Sequence, residues 1–270
     1  KVKLPAWSGA SPSVVGDKGF VVSPSEQEAA PPAEPAPAGR GRRPAPPPGM
    51  GPGGQEIVLF CLSKKDGSIH WQSKLDEGNK IEFKQNMSSP SPVSDGETIW
   101  FVTGNGVVSA VDMKGKLLWK YDIQESHWKL GLLAGYASSP ALYEDKLIIQ
   151  VLHGMRTDDP SYLLALDKKT GKERWYVERE TDAVHESPDA YTTPVLSKTK
   201  DGIQLIITGG DYVTGHDPDT GREIWRAGGL NPQKARNYRI VPSPVAYDGM
   251  IYAPTRKKPL LALRAGGKGD

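Results

Sequence analysis

A glycine followed four residues later by a tryptophan recurs at intervals of about 50 residues, at four places in the 270-residue chain. The pairs are Gly67 and Trp71, Gly115 and Trp119, Gly171 and Trp175, and Gly221 and Trp225. In the last three, an aspartate that ends an apolar run precedes the glycine: Asp112, Asp167 and Asp217. An aspartate accepts hydrogen bonds from the amides of a turn, and glycine supplies a positive φ. Each motif therefore predicts a hairpin turn between two strands.

A second motif recurs with the same period as the first. Ser-Pro or Thr-Pro opens an apolar strand at five places, with the prolines at Pro12, Pro90, Pro140, Pro194 and Pro244. Successive prolines are 78, 50, 54 and 50 residues apart. The first interval contains a proline-rich segment, and without its roughly 30 residues the spacing fits a repeat of about 50.

Each period contains four short strands, which in the third unit read ALYE, KLIIQVL, YLLALD and KERWYVE. A repeat of this length built from four strands is typical of a propeller blade. One blade cannot bury both of its faces, so blades pack on each other, and the tryptophan is a natural filler between them. The sequence predicts an all-β protein, a β-propeller of four-stranded antiparallel blades. Unrelated hairpins of a β-sandwich are the alternative.

The stretch LLALDKKTGKERW resembles the tryptophan-docking repeat of the PQQ-like (pyrroloquinoline quinone-like) β-propellers. The resemblance covers residues 8–22 and 56–270, so we interpret residues 1–270 as a partial PQQ-like propeller. The family includes bacterial quinoprotein dehydrogenases and a non-enzymatic lipoprotein of the outer-membrane assembly machinery. The chain is most similar to the non-catalytic bacterial type.

The chain contains about four and a half blades, whereas propellers usually close with four to eight and PQQ-like members resemble eight-bladed rings. Residues 1–5 read as the tail of a fourth strand, and the last unit stops inside the turn where a further glycine and tryptophan are due. We expect a fragment of a larger ring of seven or eight blades. Its terminal blades would expose apolar faces that favour dimerisation, and two chains closing one ring is a further alternative.

Residues 23–54 differ from the rest of the chain. They contain ten of its 24 prolines and no Val, Ile, Leu or aromatic residue. Such a segment has little apolar surface to offset the entropy of ordering it. We predict a Pro/Ala/Gly-rich disordered insert in the second-to-third strand loop of the first blade. A proline-motif ligand or an arginine-rich nucleic-acid tether is the alternative.

The bulk composition limits the classes of function. A net charge of +2 does not indicate a nucleic-acid partner. The chain contains no run of about 18 apolar residues, which is the pattern that predicts a membrane-spanning helix. The single cysteine, Cys61, excludes a disulfide within the chain.

The long connections between strands indicate where partners would bind. Antiparallel strand order places the second-to-third and fourth-to-first connections on one face, which we call the loop face. From each tryptophan to the next marker proline there are 19 to 21 residues. Binding residues concentrate on loops held by a rigid scaffold. The candidate contact residues are His153, Arg156, Asp158, Asp159, His185, Glu186, Asp189, Tyr191, Arg236, Tyr238 and Arg239.

These candidates have two interpretations. The histidines and carboxylates would suit a divalent metal, but loop-stabilising hydrogen bonds and aspartate turns are the favoured explanation, and we assign no metal site. Arg236, Tyr238 and Arg239, with Lys234, could contact an anion or a sugar, or could be solvated charges. His216 replaces the apolar residue before the turn aspartate and is expected to be packed rather than catalytic.

The expected function is that of a non-catalytic scaffold that binds a protein or glycan partner through the loop face, without a cofactor. The alternative is a fragment of a quinoprotein dehydrogenase that uses PQQ and calcium. The resemblance implies for such enzymes an adjacent cysteine pair, and this chain has none. It also implies a periplasmic or extracellular location.

Overall fold

The computed structural model describes residues 2–27, 53–83, 85–258 and 260–268. Blade 1 consists of β1 (Ser13–Val15), β2 (Lys18–Pro24), β3 (Ile57–Ser63) and β4 (Ile69–Asp76). A short hairpin follows, of β5 (Ile81–Glu82) and β6 (Gln85–Asn86). Blade 2 consists of β7 (Val93–Ser94), β8 (Thr98–Val102), β9 (Val107–Asp112) and β10 (Leu117–Asp122). The helical turn α1 (Ile123–Ser126) comes next, capped by the Asp122 carboxylate.

Blade 3 consists of β11 (Ala141–Tyr143), β12 (Lys146–Val151), β13 (Tyr162–Asp167) and β14 (Glu173–Glu178). Blade 4 consists of β15 (Val195–Thr199), β16 (Gly202–Gly209), β17 (Tyr212–His216) and β18 (Glu223–Ala227). Blade 5 contains three described strands, β19 (Val245–Tyr247), β20 (Met250–Ala253) and β21 (Leu261–Arg264).

Every blade is an antiparallel sheet in which neighbouring strands follow each other along the chain. This confirms the all-β propeller, with an open ring of four complete blades and a three-stranded fifth. No helix in the described ranges has the length and apolar character needed to cross a bilayer.

The inner strands of blades 1 to 4 are largely buried on both sides. All six residues of β12 and five of the six in β13 are buried, whereas β14 at the outer edge contains none. The difference arises because inner strands lie between two neighbouring blades, while the outer strand faces water. The blade interfaces thus form a series of apolar clusters that hold the loop face in place.

The repeated tryptophans join each blade to the next. The ring of Trp119 lies against Gly171 of blade 3 so closely that a Cβ on Gly171 would be 2.6 Å from Trp119 Cε3. Its indole Nε1 donates to the carbonyl of Lys168, at 3.2 Å. Trp71 and Trp175 make equivalent contacts with the turns of blades 2 and 4. The turn glycine is therefore required for close approach as well as for its positive φ.

Trp225 makes a looser contact of the same kind, since a Cβ added to Gly267 in the turn of blade 5 would be 3.5 Å from Trp225 Cγ. Its Nε1 donates to Gln204 Oε1 in its own blade, at 2.9 Å, and its ring covers Gly215. In blade 5 the turn aspartate is replaced by Arg264. The turn of blade 5 therefore differs at the position where blades 2 to 4 carry an aspartate.

Hydroxyl groups at the Ser-Pro and Thr-Pro motifs also join successive blades. A hydroxyl beside each later marker proline accepts a hydrogen bond from a backbone amide of the preceding blade. The donor–acceptor steps run from Ser11 to Ser91, Ser139, Thr193 and Ser243, with N···O distances of 2.9, 2.8, 3.3 and 2.8 Å. We call this series the hydroxyl ladder.

The two terminal blades are covered differently. On blade 1 the outward side chains Val21, Val58 and Phe60 are buried, and Leu4 packs against them. Residues 2–5 are not a strand, so that prediction is wrong, although Val2 lies over Gly67 as tryptophans do over later turns. The prediction that the terminal blades expose apolar faces is therefore wrong for blade 1.

Blade 5 does expose an apolar face. Val245, Tyr247 and Leu260 are 57%, 74% and 64% exposed. Val245 and Tyr247 align with Ala141 and Tyr143, which are part-buried in blade 3. The face that blade 5 exposes is thus the one that each earlier blade turns toward the next.

The proline-rich segment begins later than expected. Ser23 and Pro24 are the last residues of β2, where they pair with Val58 and Ile57. The part of the segment in residues 28–52 lies outside the described residues, between β2 and β3. Its predicted disorder stays a prediction.

Substituting a turn glycine tests the contact between blades. Gly171→Ala should lower the free energy of unfolding by about 2–4 kcal/mol, because the new methyl meets Trp119 and the backbone is left-handed. Gly249→Ala is the matched control, since the φ of Gly249 is +70° against +71° at Gly171 and no atom lies within 4 Å of its added Cβ. The control should lose about 1 kcal/mol. Urea unfolding measures both, and equal losses would contradict the proposed packing role.

Candidate functional site

A cleft of about 850 Å³ opens on the loop face where blades 3 and 4 meet. One wall is the loop between β12 and β13, and the other is the connection from β14 to β15. Four of the predicted contact residues line it: His153, Asp158, Asp159 and His185. Trp128, Glu178, Arg179 and Glu180 also line it and were not predicted.

His153 is held inside the protein. It is 2% exposed; its Nδ1 accepts a hydrogen bond from the Gly131 amide at 3.0 Å, and its Nε2 donates to the Pro160 carbonyl at 2.9 Å. Burial lowers the pKa of the imidazole, which favours the neutral form. With both ring nitrogens engaged, His153 stabilises its loop and is unsuited to bind a metal.

Asp189 and Tyr191 fasten several loops together. The Asp189 carboxylate is fully buried and accepts from the amides of Leu133, at 2.7 Å, and Met155, at 3.1 Å. Burial raises the pKa of Asp189 against the effect of these bonds. The Tyr191 hydroxyl accepts from the Ala134 amide at 3.0 Å. Both residues hold the cleft in shape.

A buried ion pair supports the far side of the cleft. Glu186, 5% exposed, contacts the Arg239 guanidinium, which reaches it from the connection after blade 4. Nearby, Ser187 donates to Asp211, and Asn231 Nδ2 donates to the Ser187 hydroxyl at 3.2 Å. These contacts join the connections that flank blade 4.

The remaining candidates lie nearer to solvent. Arg156 forms an ion pair with Glu82 at 3.6 Å. Asp159 accepts from the Thr157 hydroxyl at 2.7 Å, whereas Asp158 and His185 are exposed. Arg236 is exposed, and the Tyr238 hydroxyl donates to the Lys258 carbonyl at 2.8 Å, away from the cleft.

Arg179 begins a polar chain inside blade 4. Its Nε donates to Thr214 Oγ1 at 2.9 Å, Thr214 Oγ1 lies 2.8 Å from His216 Nε2, and His216 Nδ1 lies 2.9 Å from the Gly221 carbonyl. A carbonyl can only accept, so Nδ1 carries the proton and Nε2 accepts from the threonine. Burial and the Arg179 charge lower the pKa of His216 to about 4.

Three residues at this part of the loop face have a left-handed backbone. The φ angles of His185, Asp211 and Lys234 are 59°, 69° and 48°. Non-glycine residues adopt this region at a cost, and such strain concentrates at sites of function. The strain lies beside the cleft, where the buried contacts above can maintain it.

The cleft does not provide a metal site. Within the described ranges, no three His, Cys, Asp or Glu side chains come together as metal ligands. Cys61 is buried in β3, where burial raises the pKa of its thiol. The metal interpretation of the histidine and carboxylate clusters is therefore unsupported for these residues.

Removing one acceptor from Asp189 tests its role in the cleft. Asp189→Asn turns one carboxylate oxygen into a donor, which leaves the amide of Leu133 or Met155 unpaired. We expect unfolding free energy to fall by about 1–3 kcal/mol. The exposed Asp158→Asn should change it by less than about 0.5 kcal/mol. Urea unfolding compares the two variants, and equal stabilities would contradict the anchoring role.

His216 should make stability depend on pH. The unfolded histidine takes up a proton near pH 6.5, whereas the folded one does so only near pH 4. Unfolding free energy should therefore fall by about 3 kcal/mol as the pH drops through this range. The His216→Leu variant has the residue that blade 3 carries at this position. In this variant the loss of unfolding free energy that comes from His216 should disappear. Urea unfolding at pH 7 and pH 4 measures it, and parallel losses in both proteins would refute the assignment.

Comparison with known proteins agrees with this architecture. A quinohemoprotein alcohol dehydrogenase (ADH-IIG) of Pseudomonas putida is 32% identical over 168 residues, which cover 58% of this chain and 21% of that protein. A lanthanide-dependent methanol dehydrogenase of Methylorubrum extorquens is 28% identical over 128 residues, covering 45% of this chain and 20% of that protein. The matches thus span about a fifth of the length of either relative.

Solved structures share the fold. A europium-containing methanol dehydrogenase superposes with a TM-score of 0.61 at 14% identity, covering 96% of this chain and 51% of that one. A quinohemoprotein alcohol dehydrogenase from Comamonas testosteroni gives 0.57 at 11% identity, covering 97% of this chain and 42% of that one. A family model described as outer membrane protein assembly factor BamB matches residues 54–269. The chain therefore belongs to this PQQ-like β-propeller repeat family.

Proposed function

We propose that the chain is a non-catalytic propeller scaffold that binds a protein or glycan partner through the loop face, with the cleft between blades 3 and 4 as the centre of contact. The observation that carries the proposal is the cleft itself, about 850 Å³ in volume and lined by side chains from two long connections. Clefts of this size are typical of sites that take a small ligand, and such a cleft can hold a sugar unit or a single side chain of a larger partner.

The cleft is preorganised for binding. Asp189 ties the loops on two sides of it through backbone amides, and the Glu186–Arg239 pair holds the connection behind it. A surface that is rigid before binding loses less conformational entropy on association. Exposed side chains at the rim, such as Trp128 and Val184, 44% and 52% exposed, provide apolar contact area.

The tryptophan contacts between blades would serve this function indirectly. We propose that they act as docking contacts of the kind that the repeat resembles, since each indole packs on a turn glycine of the next blade. A periplasmic or extracellular location fits the family resemblance and forms part of the proposal.

A second candidate function is supported by the sequence relatives. The 32% identity with a quinohemoprotein alcohol dehydrogenase favours a chain that forms part of a PQQ-dependent enzyme. In the described residues, however, carboxylates and histidines do not converge as ligands for a calcium or lanthanide ion. The scaffold therefore accounts for the described residues better than the enzyme does.

Charge reversal at the cleft tests the proposal. Asp158→Arg combined with Glu180→Arg should lower the amount of a partner cross-linked from periplasmic or extracellular fractions by about tenfold, because it inverts the charge of the contact surface. The matched control, Lys114→Glu combined with Lys169→Glu, reverses exposed charges on the short turns of the opposite face. We expect capture by the control to equal that of the wild type, as measured by quantitative mass spectrometry.

Two results would count against the scaffold. Equal capture by the cleft variant and the wild type would refute the cleft as the contact surface. A joint rise of the melting temperature with PQQ and Ca²⁺ would favour the enzyme instead, because a ligand that binds only the folded state raises it by mass action.

A further inference from the structure

Arg179 occupies a position that blades 1 and 2 fill with an aliphatic side chain. It lies four residues after Trp175, and the residues four after Trp71 and Trp119 are Leu75 and Ile123. Leu75, Ile123 and Arg179 are all at most 2% exposed. A guanidinium has thus replaced a buried aliphatic group at one blade, which is unfavourable for stability alone.

In the described part of the chain, no carboxylate forms an ion pair with Arg179, and the charge of Glu223 acts on it only from a longer distance. Its Nε and Nη2 donate to Thr214 Oγ1 and to the carbonyls of Gly209 and Tyr212, at 2.9, 3.1 and 3.3 Å. All three acceptors are uncharged. Among the described residues, Nη1 has no acceptor and no carboxylate lies within 4 Å of the guanidinium. Because Arg179 also lines the cleft, its charge is available to a bound anionic group.

The polar chain behind Arg179 holds the guanidinium in place. Thr214 accepts from Arg179 and donates to His216, whose other nitrogen donates to the Gly221 carbonyl. His216 stands where blades 1, 2 and 3 have Leu62, Val111 and Leu166. Two departures from the repeat are therefore linked in one chain of hydrogen bonds that ends at the cleft. Such support is what a recognition site needs to fix a charged group.

The rest of the cleft has the opposite charge. Asp158, Asp159, Glu178 and Glu180 line it, and none of them forms an ion pair with a described residue. The indole of Trp128 at the rim is 44% exposed. Carboxylates and an aromatic face attract a cation and repel a ligand that is only anionic. The site therefore suits a ligand that carries both charges.

We propose that the cleft binds the α-carboxylate of an arginine or lysine residue at Arg179, with the cationic side chain among the four carboxylates. The ligand is either the free amino acid or the carboxyl-terminal residue of a peptide. This inference rests on the proposed function and names the chemistry that the cleft recognises. A guanidinium and a carboxylate match each other as bidentate partners, which makes the first contact specific.

Four probes test the proposal by isothermal titration calorimetry on the full chain. They are L-arginine, acetyl-Gly-Gly-Arg with a free carboxylate, the same peptide with a carboxyl-terminal amide, and acetyl-Gly-Gly-Ala with a free carboxylate. We expect the free-acid arginine peptide to bind about tenfold or more tightly than either the amide or the alanine peptide. If the ligand is a free amino acid, L-arginine binds and the peptides do not.

Two variants connect the binding to the named residues. Arg179→Leu introduces the residue that blade 1 has at this position. It should lower the affinity for the free-acid arginine peptide to the level of the amide peptide, whereas Arg179→Lys should keep part of the difference. Glu178→Gln combined with Glu180→Gln should lower the affinity for the arginine peptide by about tenfold and leave the affinity for the alanine peptide unchanged. Thermal melting of each variant checks that it is folded.

The outcomes separate this proposal from the scaffold function. Equal binding of the acid and the amide, no binding by any probe, or unchanged affinity in a folded Arg179→Leu variant would overturn the proposal. If the charge-reversed cleft still loses its cross-linked partner in such a case, the scaffold function stands and only the ligand chemistry is wrong.

Discussion

Each of the four complete blades is joined to the next by an indole ring that lies against a glycine. The contact is possible only because the turn has no side chain there: a Cβ would come within 2.6 to 2.9 Å of ring carbons at Gly115, Gly171 and Gly221. The turn aspartate arranges the amides, the glycine reverses the chain, and the tryptophan of the neighbour covers both. The separation and tilt of the blades, and hence the width of the cleft on the loop face, depend on this contact.

The repeat made the architecture readable from the sequence. Spacing of Gly67 to Trp71 and its successors placed the turns, and the marker prolines placed the first strands, because both signals act within a few residues. The hydroxyl ladder was not predictable, because each donor and acceptor lie about 50 residues apart or more and only the packing of blades brings them together. For the same reason the Glu186–Arg239 pair, 53 positions apart in the chain, emerged only from the paths of two loops.

The cleft shows a different limit of sequence reasoning. The choice of the loop face followed from strand order, but conspicuous groups such as His153 and Asp189 turned out to be engaged in holding loops. Arg179 was overlooked, although a signal was present: the repeat places Leu75 and Ile123 at its position. In a repeat protein, a charged residue at an otherwise aliphatic position indicates a site better than a cluster of polar residues in a loop does. Polar residues are expected in loops because loops are exposed to solvent.

The hydroxyl ladder gives the row of blades a direction. Every step has its donor in one blade and its acceptor in the following one. The indole contacts run in the same direction, from one blade to the turn of the next. The blades are thus arranged head to tail. The two ends of the row are therefore chemically unlike. At blade 1 the turn glycine is already covered by Val2, whereas at blade 5 an apolar sheet face is bare. A further blade could join the bare end by simple addition, but at the covered end it would first have to displace part of the chain itself.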